Sequence, residues 1–147
     1  MGNHFEKLRR SCGTVFDLAA SINLLEWDQQ TYMPAGGAQG RAYQIATLSR
    51  LAHERFVGDE FAAELEAAES EVASLDPESD EARIVARLRR DLQKRRRVSA
   101  DWVEEHELTI RMAFNAWVKA RAASDFASFR PHLEKVLELK RSYVAFF

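Results

Sequence analysis

The sequence predicts an all-α protein, a bundle of about six helices that is partly up-and-down and contains no sheet. Apolar residues recur at alternating steps of three and four along most of the chain. Only 6 glycines and 3 prolines occur among 147 residues, so turns are few and the elements are long. No useful stretch alternates with period two, and a chain of this length buries a core unaided. We therefore expect residues 1–147 to form a single helical domain.

The first predicted helix begins after Asn3, a suitable N-cap residue, and carries its apolar stripe through the next twenty residues. It is expected to end near Thr31 or Tyr32. Pro34 disfavours helical geometry at the residue before it, and a Gly-Gly pair follows directly to supply a turn.

Five further helices follow from the same spacing and from capping residues at their starts. Short connections between them favour antiparallel neighbours. The fifth is expected to carry Trp102 and Trp117 into the core, together with Trp27 of the first helix. The predicted ranges are 38–55, from after Asp59 to Asp76, from Ser79 or Asp80 to about Arg96, from Ser99 to about Ala123, and from Asp125–Ser128 to the end of the chain.

Composition excludes several classes of function. The formal net charge of −2 gives no reason to expect a nucleic acid or an anionic membrane as a partner. The basic run from Arg83 to Arg97 contains no aromatic residue, so a solvated helix face with ion pairs is favoured over a nucleic-acid surface. Cys12 is the single cysteine, and no apolar run or signal pattern suggests membrane insertion or export. A cytoplasmic location is expected.

The histidines do not form a metal site. Zinc peptidases use His-Glu-x-x-His on a helix, where two imidazoles one turn apart bind zinc and the glutamate activates water. Two His-Glu pairs begin at His53 and His106, but the positions for the second histidine hold Val57 and Ile110. We predict no catalytic residues, no metal ligands and no cofactor bound by this chain. His106 is expected to be half-buried and hydrogen-bonded.

The end of the first helix combines aromatic and polar groups. Glu26 and Asp28 are two residues apart and point about 200° apart on a helix, which argues against a cooperating acid–base pair. One interpretation is structural: Asp28, Thr31 and Tyr32 form a polar lock that holds the following loop. The alternative is functional: Trp27, Asp28, Thr31 and Tyr32 face a substrate groove.

Four segments carry a resemblance to a known family, in order and over nearly the whole chain. They are Leu25-Glu26-Trp27-Asp28-Gln29-Gln30-Thr31-Tyr32-Met33-Pro34, Arg41-Ala42-Tyr43-Gln44-Ile45-Ala46-Thr47-Leu48, Ala116-Trp117-Val118-Lys119-Ala120-Arg121 and Asp125-Phe126-Ala127-Ser128-Phe129-Arg130-Pro131-His132-Leu133-Glu134-Lys135-Val136. With these, the chain resembles the N-terminal region of the M32 metallocarboxypeptidases, the thermostable carboxypeptidase Taq family.

The resemblance implies a mostly helical, zinc-dependent carboxypeptidase that removes C-terminal residues with broad specificity and is often a homodimer. The family's zinc ligands, catalytic glutamate and substrate-carboxylate contacts lie beyond the region that this chain resembles, so none is carried over. The resemblance further implies that these helices help to wall and cover a deep substrate groove.

Two hypotheses that follow from the resemblance remain open, in addition to the interpretation that the chain is an unrelated helical protein. In the first, the chain is the non-catalytic N-terminal part of an M32-type peptidase, with a peptide substrate only as part of the full-length enzyme. In the second, it is a standalone binding or assembly module derived from that family, without peptidase activity. The apolar end at Phe146-Phe147 suggests either a truncated element or self-association through that end.

Overall fold

The computed structural model describes residues 3–147, which form six α-helices and one short 3-10 helix. No strand occurs within this range, so the predicted all-α fold is confirmed. The helices are α1 His4–Thr31, α2 Ala38–Val57, α3 Asp59–Val72, α4 Asp80–Arg95, α5 Ala100–Ala123 and α6 Phe126–Val144, and the 3-10 helix is Ala35–Gly37.

Three helices begin where short polar residues predicted their starts. The Ser79 hydroxyl accepts from the Ala82 amide at 3.4 Å at the start of α4, and the Ser99 hydroxyl accepts from the Trp102 amide at 3.2 Å at the start of α5. The Asp125 carboxylate caps α6 in the same way. Each side chain satisfies an amide that has no partner within its own helix.

Two helix ends differ from the prediction. Helix α3 ends at Val72 rather than near Asp76, because the Leu75 amide bonds three residues back to the Val72 carbonyl at 2.9 Å and tightens the chain into a turn. Helix α6 ends at Val144 rather than at the last residue. There the Phe147 amide bonds to the Val144 carbonyl at 3.2 Å, which is again a three-residue spacing.

The start of α1 also departs from the prediction, because Asn3 makes no side-chain cap hydrogen bond. The cap comes from α3 instead: one carboxylate oxygen of Glu71 accepts from the amides of His4 at 2.9 Å and Phe5 at 3.1 Å. An anion at a helix N-terminus satisfies free donors and complements the helix dipole. Glu71 therefore joins α1 to α3 while capping α1.

The hydrophobic core lies among the N-terminal half of α1, the end of α2, and helices α3 and α4. Its largest members are almost completely buried, with Leu8 at 1%, Phe61 at 2% and Leu65 at 0% exposure. A second packed layer joins α2 to α5 through small side chains, which let two helices approach closely. The small buried residues on this layer are Ala42, Ala46, Ala113 and Ala120.

Helix α6 packs against α5, and the chain end folds back on Trp102. The Trp102 ring lies 5.1 Å from that of Tyr143, and its indole N–H donates to the Ser142 hydroxyl at 2.9 Å. The prediction that all three tryptophans lie in the core is wrong, because Trp102 is half-buried, Trp27 is 55% exposed and Trp117 is 38% exposed. The Trp117 ring is covered in part by the Arg121 guanidinium, 5.2 Å from the ring centre.

Candidate functional site

The candidate site lies at the C-terminal end of α1, where the chain reverses into α2. The Asp28 carbonyl accepts from two amides, that of Tyr32 at 3.0 Å and that of Met33 at 2.9 Å, which closes the helix. Pro34 then has an extended backbone, with ψ of 144°, and leads into the 3-10 helix. The local sequence thus fixes the position from which four predicted site residues project.

Asp28 is held by an arginine that sequence reasoning did not identify. The Arg41 guanidinium in α2 lies 2.7 Å from the Asp28 carboxylate and donates to the Leu25 carbonyl at 2.8 Å. The side chains are only 17% and 34% exposed, respectively, so water screens the pair poorly. This pair bridges α1 and α2. The predicted lock of Asp28, Thr31 and Tyr32 is therefore wrong in its members, because Asp28 bonds to Arg41 and the Thr31 hydroxyl bonds to its own helix.

The other predicted site residues divide into two roles. The Thr31 hydroxyl donates to the Trp27 carbonyl at 2.8 Å within the same helix, so its oxygen can only accept from a ligand. The rings of Trp27 and Tyr32 lie 5.6 Å apart, and Tyr32 is 76% exposed. The structure therefore brings two aromatic rings together at the surface, beside an anchored carboxylate. Whether these residues face a substrate groove stays a prediction.

A second polar cluster lies beside this site and joins α1, α5 and α6. The Arg111 guanidinium donates to the carboxylates of Glu26 and Glu107, and the Glu107 carboxylate accepts from His106 Nδ1 at 3.3 Å. Lys140 Nζ donates to His106 Nε2 at 2.9 Å, which fixes the tautomer with hydrogen on Nδ1. The cluster is a chain of four contacts across three helices.

At this cluster and beside it, the pKa of one carboxyl group is shifted and two buried atoms lack a hydrogen-bond partner. The hydrogen bond from His106 lowers the pKa of Glu107, against the opposing effect of burial and with help from the Arg111 charge. Gln29 donates to Asn115 at 3.3 Å, yet within residues 3–147 neither Gln29 Oε1 nor Arg111 Nε has a hydrogen-bond partner. The interior between α1 and α5 therefore has spare hydrogen-bonding capacity.

Glu26 and Asp28 act separately, as their spacing predicts. Glu26 pairs with Arg111 of α5, while Asp28 pairs with Arg41 of α2. Each carboxylate is thus paired with its own arginine from a different helix.

Two of the four histidines, His53 and His106, make structural contacts. His53 is 7% exposed, and its Nε2 donates to the Val98 carbonyl at 2.8 Å. Burial lowers the pKa of His53. His106 is half-buried and stacks on Trp102 with ring centres 4.7 Å apart, as the sequence predicts. Residues 3–147 contain no group of three or more His, Cys, Asp or Glu side chains that could hold a metal ion.

The basic run on α4 is partly an ion-paired face, as expected. Arg89 makes a two-pronged pair with Glu69 of α3, Arg87 pairs with Asp91 at 2.9 Å, and Arg96 reaches Asp59 at 3.0 Å. The Arg95 guanidinium lies 4.6 Å above the Phe56 ring, a cation–π contact that sequence reasoning did not identify.

None of the helices in residues 3–147 combines the length and apolar composition that crossing a membrane requires.

Arg41 and Arg111 are the site residues that sequence reasoning missed. Both lie on other helices than their partners: Arg41 is 16 residues from Leu25, and Arg111 is 85 residues from Glu26. Periodicity reports which face of a helix is apolar, but it carries no information about which charge lies opposite. One signal was available for Arg41, since it begins the second segment of the family resemblance.

The described residues form an all-α bundle that carries an anchored carboxylate and an exposed aromatic pair. Among them no set of metal ligands occurs. The class of protein is therefore a helical region of this kind. The family model for the carboxypeptidase Taq (M32) metallopeptidases matches residues 7–147. The chain belongs to the M32 family.

Curated relatives agree with this assignment. The chain is 32% identical over 124 residues to thermostable carboxypeptidase 1 of Thermus thermophilus, covering 84% of this chain and 24% of that protein. It is 31% identical over 127 residues to thermostable carboxypeptidase 1 of Pyrococcus furiosus, covering 86% of this chain and 25% of that protein. The chain thus spans about a quarter of the length of the curated relatives that it matches.

Solved structures share the arrangement of helices. The M32 carboxypeptidase of Deinococcus radiodurans superposes with a TM-score of 0.74 at 34% identity, covering 99% of this chain and 29% of that one. The crystal structure called BsuCP gives a TM-score of 0.90 at 19% identity, with the same coverage, and supports the fold alone. The match is to the N-terminal part of these metallocarboxypeptidases.

Proposed function

We propose that this chain is the N-terminal helical region of a zinc-dependent metallocarboxypeptidase that removes C-terminal residues from peptides. In this proposal the region helps to cover the substrate groove and does not itself supply the catalytic His-Glu-x-x-His. The observation that carries the proposal is the match over residues 7–147 to the N-terminal part of M32 enzymes whose chains are more than three times longer.

The surface supports a role within a larger assembly. A compact monomer of this mass, 16.8 kDa, is expected to expose roughly 7,600 Å². The chain exposes 9522 Å². The difference exceeds the roughly 800 Å² that each partner buries in a standard stable interface. Among the exposed apolar side chains are Trp27 and Tyr32, which are the aromatic residues proposed to line the groove.

The residues present indicate what this region and the catalytic part of a full-length enzyme would each contribute. The zinc that the family implies would polarise the scissile carbonyl and activate water in the catalytic part of a full-length enzyme. The residues described here would contribute position: the Asp28–Arg41 pair fixes the end of α1 against α2. Trp27 and Tyr32 would then present apolar rings to a peptide from a rigid support.

A direct test measures zinc content and peptide trimming by the purified 147-residue chain. The proposal predicts less than one-tenth of an equivalent of zinc after dialysis against zinc-containing buffer, and no shortening of peptides with free C-termini by mass spectrometry. One tightly bound equivalent of zinc together with loss of C-terminal residues would overturn the non-catalytic assignment.

A second candidate is a standalone helical module that binds or assembles with other proteins. The observation in its favour is that the described helices form their own core, with Phe61 and Leu65 at most 2% exposed. Such a module would associate through its exposed apolar surface, including the aromatic chain end at Phe147, which is 58% exposed. A homodimer is one form of this association. The two candidates predict different sizes for the native protein.

A further inference from the structure

An open groove of about 990 Å³ runs between the N-terminal half of α1 and helix α4. It extends along α1 from Phe5 to Phe16 and along α4 from Asp80 to Arg90. With a rise of 1.5 Å per residue, each wall is about 16 Å long, which matches roughly three turns of an α-helix. The groove lies apart from the Trp27–Tyr32 site, since none of that site's residues lines it.

Large apolar side chains in the groove are left exposed. Phe16 is 74% exposed and Ile84 is 47% exposed, and both line the groove. Leu88 lies beside them and packs on the core cluster beneath. Contiguous exposed apolar surface with a polar border is typical of a binding site for another polypeptide.

The border of the groove is mainly basic, with four arginines and one carboxylate, Asp80. Arg83, Arg87 and Arg90 occur at steps of four and three and so follow one side of α4, and Arg9 lies on α1. Arg9 pairs with Glu6 and Arg87 with Asp91, but Arg83 and Arg90 make no ion pair with any residue between 3 and 147. An arginine border disfavours a second copy docking the same face, because identical charges would oppose each other. It favours an acidic partner.

Gly13 leaves open space in the wall of the groove. It lies in the interior of the 28-residue helix α1, where glycine costs about 0.5–1 kcal/mol relative to alanine. A Cβ atom added at Gly13 would meet nothing within 4 Å, so no described neighbour requires the missing side chain. Gly13 lines the groove, and its lack of a side chain lets another backbone come near α1.

We propose that the groove between α1 and α4 docks an amphipathic helix of about three turns, contributed by a partner polypeptide, whose apolar stripe is flanked by aspartate and glutamate. Its apolar side chains contact Phe16 and Ile84, its backbone passes over Gly13, and its carboxylates pair with Arg83 and Arg90. The inference rests only on residues of this chain and does not depend on the proposed function.

The test uses two synthetic peptides and the single cysteine. Cys12 lines the groove and is the only thiol in the chain, so its reaction rate with a maleimide reports on occupancy. The first peptide places leucines at helical steps of three and four with glutamates beside them, and the second has lysine in place of each glutamate. We expect the glutamate peptide to bind and to slow Cys12 labelling at least tenfold. The lysine peptide should bind at least tenfold more weakly by fluorescence anisotropy.

Two matched variants locate the binding. Gly13→Leu places a side chain in the groove at a position where a Cβ meets nothing within 4 Å, and it should abolish both effects. Gly40→Leu is the control, because a Cβ at Gly40 also meets nothing within 4 Å but Gly40 lies outside the groove. The double change Arg83→Glu and Arg90→Glu should reverse the preference toward the lysine peptide. Circular dichroism of each variant verifies that the helices are retained.

Several outcomes would overturn the proposal. Equal binding of the two peptides would show a merely apolar surface, and binding that survives Gly13→Leu would place the site elsewhere. Failure of the glutamate peptide to bind or to protect Cys12 at millimolar concentration would exclude an acidic helix. Sedimentation that shows a dimer dissociated by Gly13→Leu would assign the groove to a second copy of this chain.

Discussion

Arg41 in α2 holds the Asp28 carboxylate of α1 at 2.7 Å and donates to the carbonyl of Leu25 at 2.8 Å. One guanidinium thus satisfies a charged group and a backbone acceptor at the point where α1 ends. The two contacts set the relation between the longest helix and the one that follows it. They also support the two aromatic rings beside them.

Asp28→Ala is expected to destabilise the protein by about 1–2 kcal/mol, because it leaves the poorly exposed Arg41 guanidinium without its carboxylate. Asp28→Asn keeps an acceptor but removes the charge and should cost less. Urea unfolding followed by circular dichroism measures both. Asp17→Ala, in the same helix and without an ion pair among residues 3–147, is the control. A double-mutant cycle with Arg41→Ala should give a coupling near 1 kcal/mol, and a coupling of zero would contradict this account.

Glu71→Ala should lower the free energy of unfolding by about 1 kcal/mol, because the amides of His4 and Phe5 lose their shared acceptor. Glu71→Gln retains an oxygen acceptor without the charge, so an intermediate loss is expected. Glu66→Ala on the same helix is the matched control. Faster hydrogen exchange at His4 and Phe5 in Glu71→Ala would show that the loss comes from the start of α1. Unchanged exchange there would argue against the cap.

Protonation of His53 is expected to destabilise the fold. Burial lowers the pKa of His53 below its ordinary value of about 6.5, so the unfolded chain binds the proton more readily. Stability is therefore complete above pH 6.5 and falls as the pH drops below that value toward the lowered pKa. Urea unfolding at pH 7.5, 6.5 and 5.5 measures this loss. In His53→Gln, which keeps a neutral donor for Val98, the loss between pH 7.5 and 5.5 should shrink, and an unchanged slope would contradict the assignment.

Replacement of two glycines by alanine is expected to change the stability of the protein in opposite directions. Gly13→Ala should stabilise the protein by about 0.5–1 kcal/mol, because the added methyl meets nothing and helix propensity improves. Gly58→Ala should destabilise it, since a Cβ there would lie 3.0 Å from the Glu54 carbonyl oxygen. Thermal unfolding of the two variants side by side gives the signs. A destabilising Gly13→Ala would mean that α1 is more crowded at this position than the structure shows.

The positions of the helices were largely predictable because their signals are local. Pro34 and the residues around it set the end of α1 at Thr31, and Ser79 and Ser99 cap the helices that follow them. Such contacts join residues within a few positions of each other, so spacing and residue type predict them.

The contacts that build the site were not predictable because they are distant in sequence. Glu71 caps a helix that starts 67 residues earlier, and Arg111 pairs with Glu26 across 85 residues. The exposure of Trp27 was missed for a related reason. An apolar residue on an amphipathic helix is buried only if another element covers it, and a periodic pattern does not identify that element.

The most direct test of the central claim measures the mass of the native protein in its source cells. A cell extract is blotted with an antibody raised against this chain. The proposal that the chain is part of a metallocarboxypeptidase predicts a band more than three times larger than the 16.8 kDa of the 147 residues. A single band at 16.8 kDa would contradict it and would favour the standalone helical module instead.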